Sequence, residues 1–359
     1  MEEVVKARVW FTRLSRGETQ ESVARKAVRL AELAGLKKLA RPGAFVGILQ
    51  HVGEGRGIGY VKPSVTRALA LRLAASKAKP FLTGSATLYK GSRSNACDHS
   101  MQAFAHGFTP ETIRCPIVMS DGLKGTDRIS VRVRGARHCG VAYLGSAVAL
   151  MDGLVVVTHP TGHIAAGFGA TLKNIAMGLS ARGGKLAMHH GGHPVFRSAR
   201  CVGCGRCQEW CPVRAIVVRK KARLLVKKCI GCGQCYAVCP ADAIAFEWTY
   251  RGPVFQERLV EYAAAVLTRL GQRMVCLNVC QYFTKECDCF DIRQEALCAD
   301  VGILSSRDPV ALDTATADLL EETAGRDIVL EAGGREYRGM FEYAEMLGLG
   351  TRAYRLVEV

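Results

Sequence analysis

Asparagine is scarce in this chain of 359 residues, acidic side chains are outnumbered by basic ones, and no apolar run is long enough to cross a bilayer. The three Asn (Asn95, Asn174, Asn278) stand beside many Arg and Ala, a composition that leans toward thermostable proteins. The best membrane candidate, residues 139–172, is interrupted by Asp152 and by the polar turn from His159 to His163, so neither half reads as a span. The opening MEEVVKARVWF carries charge where a secretory leader carries its apolar segment. The expectation is therefore a cytoplasmic protein without a membrane span. No Ser-His-Asp order and no pair of glycosidase-type carboxylates supports a hydrolase.

What the chain has is apolar content, cysteine and positive charge. Apolar residues make up 49%, ample for a folded core. The 16 Cys, in a chain read as cytoplasmic, argue for metal sites rather than disulfides, because the cytosol keeps thiols reduced. Spacing makes that argument specific. CVGCGRCQEWCPVRAI places Cys201, Cys204, Cys207 and Cys211 before Pro212; CIGCGQCYAVCPADAI places Cys229, Cys232, Cys235 and Cys239 before Pro240. The two runs superpose at a shift of 28 residues, glycines included. Each is the C-x2-C-x2-C-x3-C-P run that holds a four-iron cluster, with the fourth Cys ligating the other cluster. That rule assigns Cys201, Cys204, Cys207 and Cys239 to one [4Fe-4S] cluster, and Cys229, Cys232, Cys235 and Cys211 to a second. Two zinc knuckles are the alternative for the same residues.

Residues 196–248 resemble a two-cluster bacterial-type ferredoxin module, and the resemblance implies one-electron transfer at low potential. Strand-like and helical stretches alternate outside it. Strands are expected at 4–11, 45–49, 80–83, 117–119, 129–135, 154–158, 273–279, 301–304 and 352–357, and helices at 20–33, 65–76, 144–151, 259–270 and after Asp308-Pro309. Residues 328–337, broken by Gly333-Gly334, read as a hairpin. The pattern predicts an α/β domain with a parallel or mixed sheet, residues 1–195 and 250–359, into which an α+β ferredoxin-type domain, 196–249, is inserted. The connecting stretches HHGGHPVFRSAR and FEWTYRGPVF read as linkers.

The flanks carry a second resemblance. VVVTHPTGHIAAGFGATLKNIAMG (155–178), CLNVCQYFTKECDC (276–289) and VGILSSRDPVALD (301–313) are similar to the domain of unknown function 362 family. Members often carry a ferredoxin module. The resemblance implies an iron–sulfur protein of an anaerobic or microaerobic microbe and names no substrate.

Chemistry outside the clusters has to be read from the residues. His159 and His163 follow a strand, at the edge where α/β sheets place ligands. Gly167-Phe168-Gly169 then precedes a helix bearing Lys173 and Asn174, whose first backbone N–H groups could hold an anion while Lys173 neutralises its charge. The alternative is a tight turn with a surface lysine. Cys287-Asp288-Cys289 offers two thiols for a third metal or a reactive pair, with Cys276, Cys280 and Cys298 as further soft ligands. A disulfide across C-x-C would be strained. His189, His190 and His193 read as linker residues rather than ligands, Cys97, Cys115 and Cys139 as buried small hydrophobes. Asp121-Gly122 reads as a ligand-facing loop or a plain turn.

Positive charge is concentrated between the cysteine runs, in Arg219, Lys220, Lys221, Arg223, Lys227 and Lys228. Ligated clusters lower the formal +17 only to about +13. The excess points to an acidic redox partner, a ferredoxin or flavodoxin, or to an anionic small-molecule substrate; nucleic acid is a weaker third. The leading expectation is an iron–sulfur oxidoreductase passing electrons to a ligand near His159, His163, Lys173, Asn174, Cys287 and Cys289. A pure electron carrier and a nucleic-acid factor with structural clusters are the alternatives.

Overall fold

A computed structural model describes residues 6–359. The chain begins with β1 (Ala7–Arg13), α1 (Gln20–Leu33), β2 (Phe45–Gln50), α2 (Pro63–Ala74), β3 (Lys79–Gly84), α3 (Ala96–Ala105), α4 (Pro110–Ile113) and β4 (Ile117–Met119). A hairpin of β5 (Arg128–Arg132) and β6 (Val141–Gly145) precedes β7 (Gly153–Thr158), a smaller hairpin of β8 (Thr161–His163) and β9 (Gly167–Gly169), then α5 (Thr171–Leu179) and α6 (Arg182–His189). The cysteine-rich segment contributes β10 (Val195–Phe196), α7 (Arg206–Glu209), β11 (Ile216–Val218), β12 (Ala222–Leu224), α8 (Gln234–Val238) and β13 (Ile244–Ala245). The chain then returns with α9 (Pro253–Leu270), β14 (Met274–Cys280), β15 (Gly302–Ser306), α10 (Pro309–Ala324), α11 (Ile328–Gly333), α12 (Arg338–Met346) and β16 (Tyr354–Glu358).

Eight strands form one mixed sheet in the order β16-β1-β15-β14-β7-β2-β3-β4. Only β15 runs against its neighbours. Both faces are covered, which explains the unbroken apolar run of β7. Leu154 and Val156 enter a core shared with α5, α9 and α10, whereas Val155 and Val157 enter another with α1 and α2. Local signals set the helix starts. Thr19 caps α1 by accepting from Ser22 N, and Asp308 caps α10 by accepting from Val310 N and Ala311 N. Among the described residues no helix is long and apolar enough to cross a membrane.

The α/β expectation matches this sheet, with two local differences. Residues 328–337 hold no hairpin: Asp327 caps α11 through Leu330 N, and Gly334, at φ +64°, ends that helix. Backbone packing accounts for Gly333, since a Cβ there would lie 1.9 Å from Gly167 O. The helix expected at 144–151 is the end of β6 followed by a single 3-10 turn. Of the strand expected at 4–11, Val4 and Val5 lie outside the described residues.

Candidate functional site

A cavity of about 670 Å³ opens beyond the carboxyl ends of β2, β3 and β7. It spans the point where strand order reverses on either side of β2, the usual ligand crevice of such sheets. His159, His163, Lys173, Asn174, Cys287 and Cys289 all line it, although they come from four separate elements.

At one end Lys173 Nζ donates to Cys287 Sγ (2.9 Å), and the Cys287 and Cys289 sulfurs stand 2.8 Å apart. Cys289 N also donates to Cys287 Sγ (3.3 Å). The bond with Cys289, together with Lys173, pulls the Cys287 pKa down against its burial; the same bond and burial push Cys289 up. Burial lowers the Lys173 pKa, but negative charge on the Cys287–Cys289 sulfurs outweighs it and raises the pKa above the ordinary lysine value. The arrangement is a thiolate–ammonium pair with a protonated thiol beside it.

Asp288 faces the other way. Both its oxygens meet His159 Nδ1 (3.1 and 3.0 Å), while His159 Nε2 faces Tyr282 O (3.0 Å). Two acceptors on two nitrogens favour the imidazolium, and Asp288 outweighs burial to raise the His159 pKa. With both nitrogens engaged, His159 fixes the Cys287–Cys289 loop and has no nitrogen free for a ligand. Gly59 closes over this pair: a Cβ there would lie 2.8 Å from His159 Cε1. His163 differs. Its Nδ1 accepts from Ala165 N and Ala166 N, which places the proton on Nε2, and burial followed by Lys173 keeps the ring neutral.

Two expectations are corrected here. The first N–H groups of α5 are not available to an anion, because Thr171 N and Leu172 N donate to Asp313 (2.9 and 2.8 Å), a residue far away in sequence. Asn174 is a positioning residue, its amide donating to Val157 O and Thr158 Oγ1 at the end of β7. For a third metal the set fits poorly. Lys173 stands against Cys287 and Asp288 is turned to His159, which leaves two thiols as the only ligands of the motif that face the cavity. Cys276 and Cys280 are core residues of β14, and neither they nor the half-buried Cys298 line the cavity.

Several cavity residues carried no sequence motif. Five of the nine histidines line the cavity: His51, His99 and His189 join the two expected ones. His51 Nδ1 accepts from Gly53 N, which leaves Nε2 as a donor; His51 Nε2 and His99 Nδ1 are buried without a partner among the described residues. Lys185 donates to Ser85 Oγ (2.6 Å) and Ala86 O (2.5 Å), with Asp121 held nearby by Ala86 N. Burial pulls Lys185 down and pushes Asp121 up, each opposing charge limiting the shift. Asp121 thus lies in a turn, buried near Lys185, and does not itself line the cavity. The stretches read as linkers supply His189, Trp248, Tyr250 and Arg251 to the cavity wall. Cys115 and Cys139 are buried as expected, whereas Cys97 is exposed.

The cysteine runs surround two small recesses. Cys201, Cys204, Cys207 and Cys239 line one, and Cys211, Cys229, Cys232 and Cys235 the other. The 28-residue shift reappears in geometry: Ala215 N donates to Cys211 Sγ (3.1 Å), and Ala243 N to Cys239 Sγ (3.3 Å). Gly203, Gly205, Gly231 and Gly233 all take φ between +64° and +80°, which the tight loops demand. The second set abuts the cavity wall. Arg182, fully buried on α6, donates to Gln234 Oε1, Thr87 O (2.9 Å), Lys124 O (2.9 Å) and Ser94 O. A Cβ on Gly233 would lie 2.9 Å from Leu88 Cδ1, and the hydroxyl of the next residue, Tyr89, donates to Cys289 O (3.0 Å). The first set lies beside the basic hairpin, with Lys220 O against Gly203 and Lys221 Nζ near Cys201 O at 2.5 Å. Arg219, Lys220, Lys221, Arg223, Lys227 and Lys228 are all exposed.

No curated protein matches this chain. Among solved structures, it is similar to the lactate racemase apoprotein from Thermoanaerobacterium thermosaccharolyticum, with 14% identity and a TM-score of 0.38. That match covers 77% of this chain and 51% of the other, so this chain spans about half that protein's length. The model of one family covers residues 46–318, the two flanks and the cysteine runs between them. The chain belongs to the family described as Domain of unknown function (DUF362).

Proposed function

We propose that this protein is an iron–sulfur reductase, in which two [4Fe-4S] clusters held by the eight cysteines feed electrons to an anionic ligand in the α/β cavity. One observation carries the reading: each recess is lined by the four cysteines that the alternating-ligand rule groups together, and the second recess abuts the wall of the cavity. Bound clusters would supply single electrons at low potential. The chain's own groups suit such ligation. Backbone N–H groups of Ala215, Ala222 and Ala243 donate to the sulfurs of Cys211, Cys201 and Cys239, as hydrogen bonds to cluster sulfurs do.

The cavity presents mostly donors. His51 Nε2 and His163 Nε2 carry hydrogens and the Lys173 ammonium stands at one end, so an acceptor-rich anion fits better than a cation. Electrons would enter from an acidic protein docked on the basic hairpin beside the first recess. Residues 196–249 hold ten Lys and Arg against three Asp and Glu, a bias that steers such a partner. A pure carrier would share that surface but leave the cavity unused. Anaerobic purification with iron and sulfide analysis, then EPR before and after reduction, tests the proposal. About eight irons, eight sulfides and two interacting reduced clusters are expected. Absence of iron after anaerobic reconstitution would overturn it.

A further inference from the structure

Single electrons and two-electron reductions do not match unless something between them stores an electron pair. In the cavity, the paired sulfurs of Cys287 and Cys289 can do so. We infer that Cys287 and Cys289 form a dithiol–disulfide couple that reduces an anionic organic disulfide bound in the cavity. Cys287 is the nucleophile and Cys289 the resolving thiol. The source of the electrons rests on the proposed function; the thiol chemistry does not.

Four observations converge on this pair. The sulfurs are 2.8 Å apart and both face the cavity. Lys173 and the Cys289 backbone N–H both donate to Cys287, which stabilises its thiolate and fixes which sulfur attacks. Cys287 is only 2% exposed, so its partner must come through the cavity. Leu88 and Tyr89 connect the loop around Gly233 to the carbonyl of Cys289, a short packed route from the second cysteine set. A dithiol reduces sulfur electrophiles by exchange and needs no further cofactor, which sets the substrate class. The Lys173 ammonium and the His51 and His163 N–H donors favour an acceptor-rich, anionic one.

The steps balance. Cys287 thiolate attacks the substrate disulfide, forming a mixed disulfide and expelling one thiolate. Cys289 then attacks Cys287, passes its proton to the second leaving sulfur, and closes the Cys287–Cys289 disulfide. Two electrons and one proton restore the thiolate and the thiol. A ring closed across a single residue is strained, and strained disulfides are the more readily reduced ones.

Glutathione disulfide, an anionic disulfide, is the probe, applied anaerobically to the iron-loaded protein with peptide mass mapping as the readout. Wild type is expected to lose two hydrogens from the peptide holding Cys287 and Cys289, and dithionite to restore them. Cys289→Ser is expected to stop at a glutathione adduct on Cys287. Lys173→Met should slow that adduct about tenfold at neutral pH. An unmodified Cys287 in Cys289→Ser, or a metal ion shielding both thiols in wild type, overturns the inference. If clusters form and are reduced while the pair stays inert, this inference fails and the electron-transfer reading stands. If the adduct forms in a protein that never takes up iron, the reverse holds.

Discussion

The cysteine segment and the cavity encode function in opposite ways. Residues 201–239 write the two proposed ligand sets as consecutive symbols, because a tight loop can wrap three thiolates around one core only at that spacing. The cavity is assembled from loops after β2, β3, β7 and β14, and nothing local marks its members. In such a sheet strand order is set by burial of both faces, so sequence distance says little about which loops meet. The first region tolerates little substitution among its symbols. The second depends on remote contacts holding its loops.

That contrast predicts where damage spreads. Asp313→Ala lies far from every cysteine run, yet it leaves Thr171 N, Leu172 N and the Asn278 amide without their acceptor. Chemical denaturation should show a loss of about 2–4 kcal/mol, with α5 and Lys173 displaced. A loss under about 0.5 kcal/mol would mean that the cavity does not hang on that contact. Cys235→Ser is the opposite case: it should remove about half the iron while denaturation of the α/β domain changes little. Equal loss of both clusters and of the α/β fold would erase the distinction between the regions.

Smaller effects sharpen it. Cys287 should alkylate at a rate that stays flat through neutral pH and falls only in acid, because its pKa is held below the ordinary thiol value. In Lys173→Met the rate should instead climb with pH toward the alkaline range. An alkaline profile in wild type would remove the thiolate–ammonium pair. At the edge of the molecule, Lys220→Glu with Lys221→Glu should slow reduction by an acidic carrier several-fold at low salt and very little at high salt. Stopped-flow reduction over a salt series reads this, and a salt-independent effect would argue against electrostatic docking.

Much of the layout was legible. The amphipathic stripe of α1, the Asp308 cap and the apolar run of β7 are local signals, and each element lies where they place it. Six cavity residues could be named because they cluster in THPTGH, LKN and CDC. His51, His99, Lys185 and Arg93 could not, since each is a lone polar residue with no motif around it, His51 and Arg93 in loops, His99 on α3 and Lys185 on α6. The N-terminus of α5 misled for the same reason: its occupant, Asp313, arrives from α10. The 328–337 error was local, a Gly-Gly pair read as a turn where Asp327 and Gly334 mark the two ends of a helix.

One further consequence concerns how the cysteine segment joins the rest. Val195 pairs with Ala245 and Phe196 with Ile244, so the chain leaves and returns through adjacent, hydrogen-bonded strands. To the α/β domain the whole segment is one loop with its ends already tied. Lengthening such a loop costs only about 0.6 kcal/mol per doubling, and that cost does not depend on what the loop contains. A module of the proposed redox kind could therefore be gained, lost or exchanged here without redrawing the sheet; what anchors this version is a small set of contacts, Gln234 beneath Arg182, Gly233 against Leu88 and Lys90 paired with Asp242.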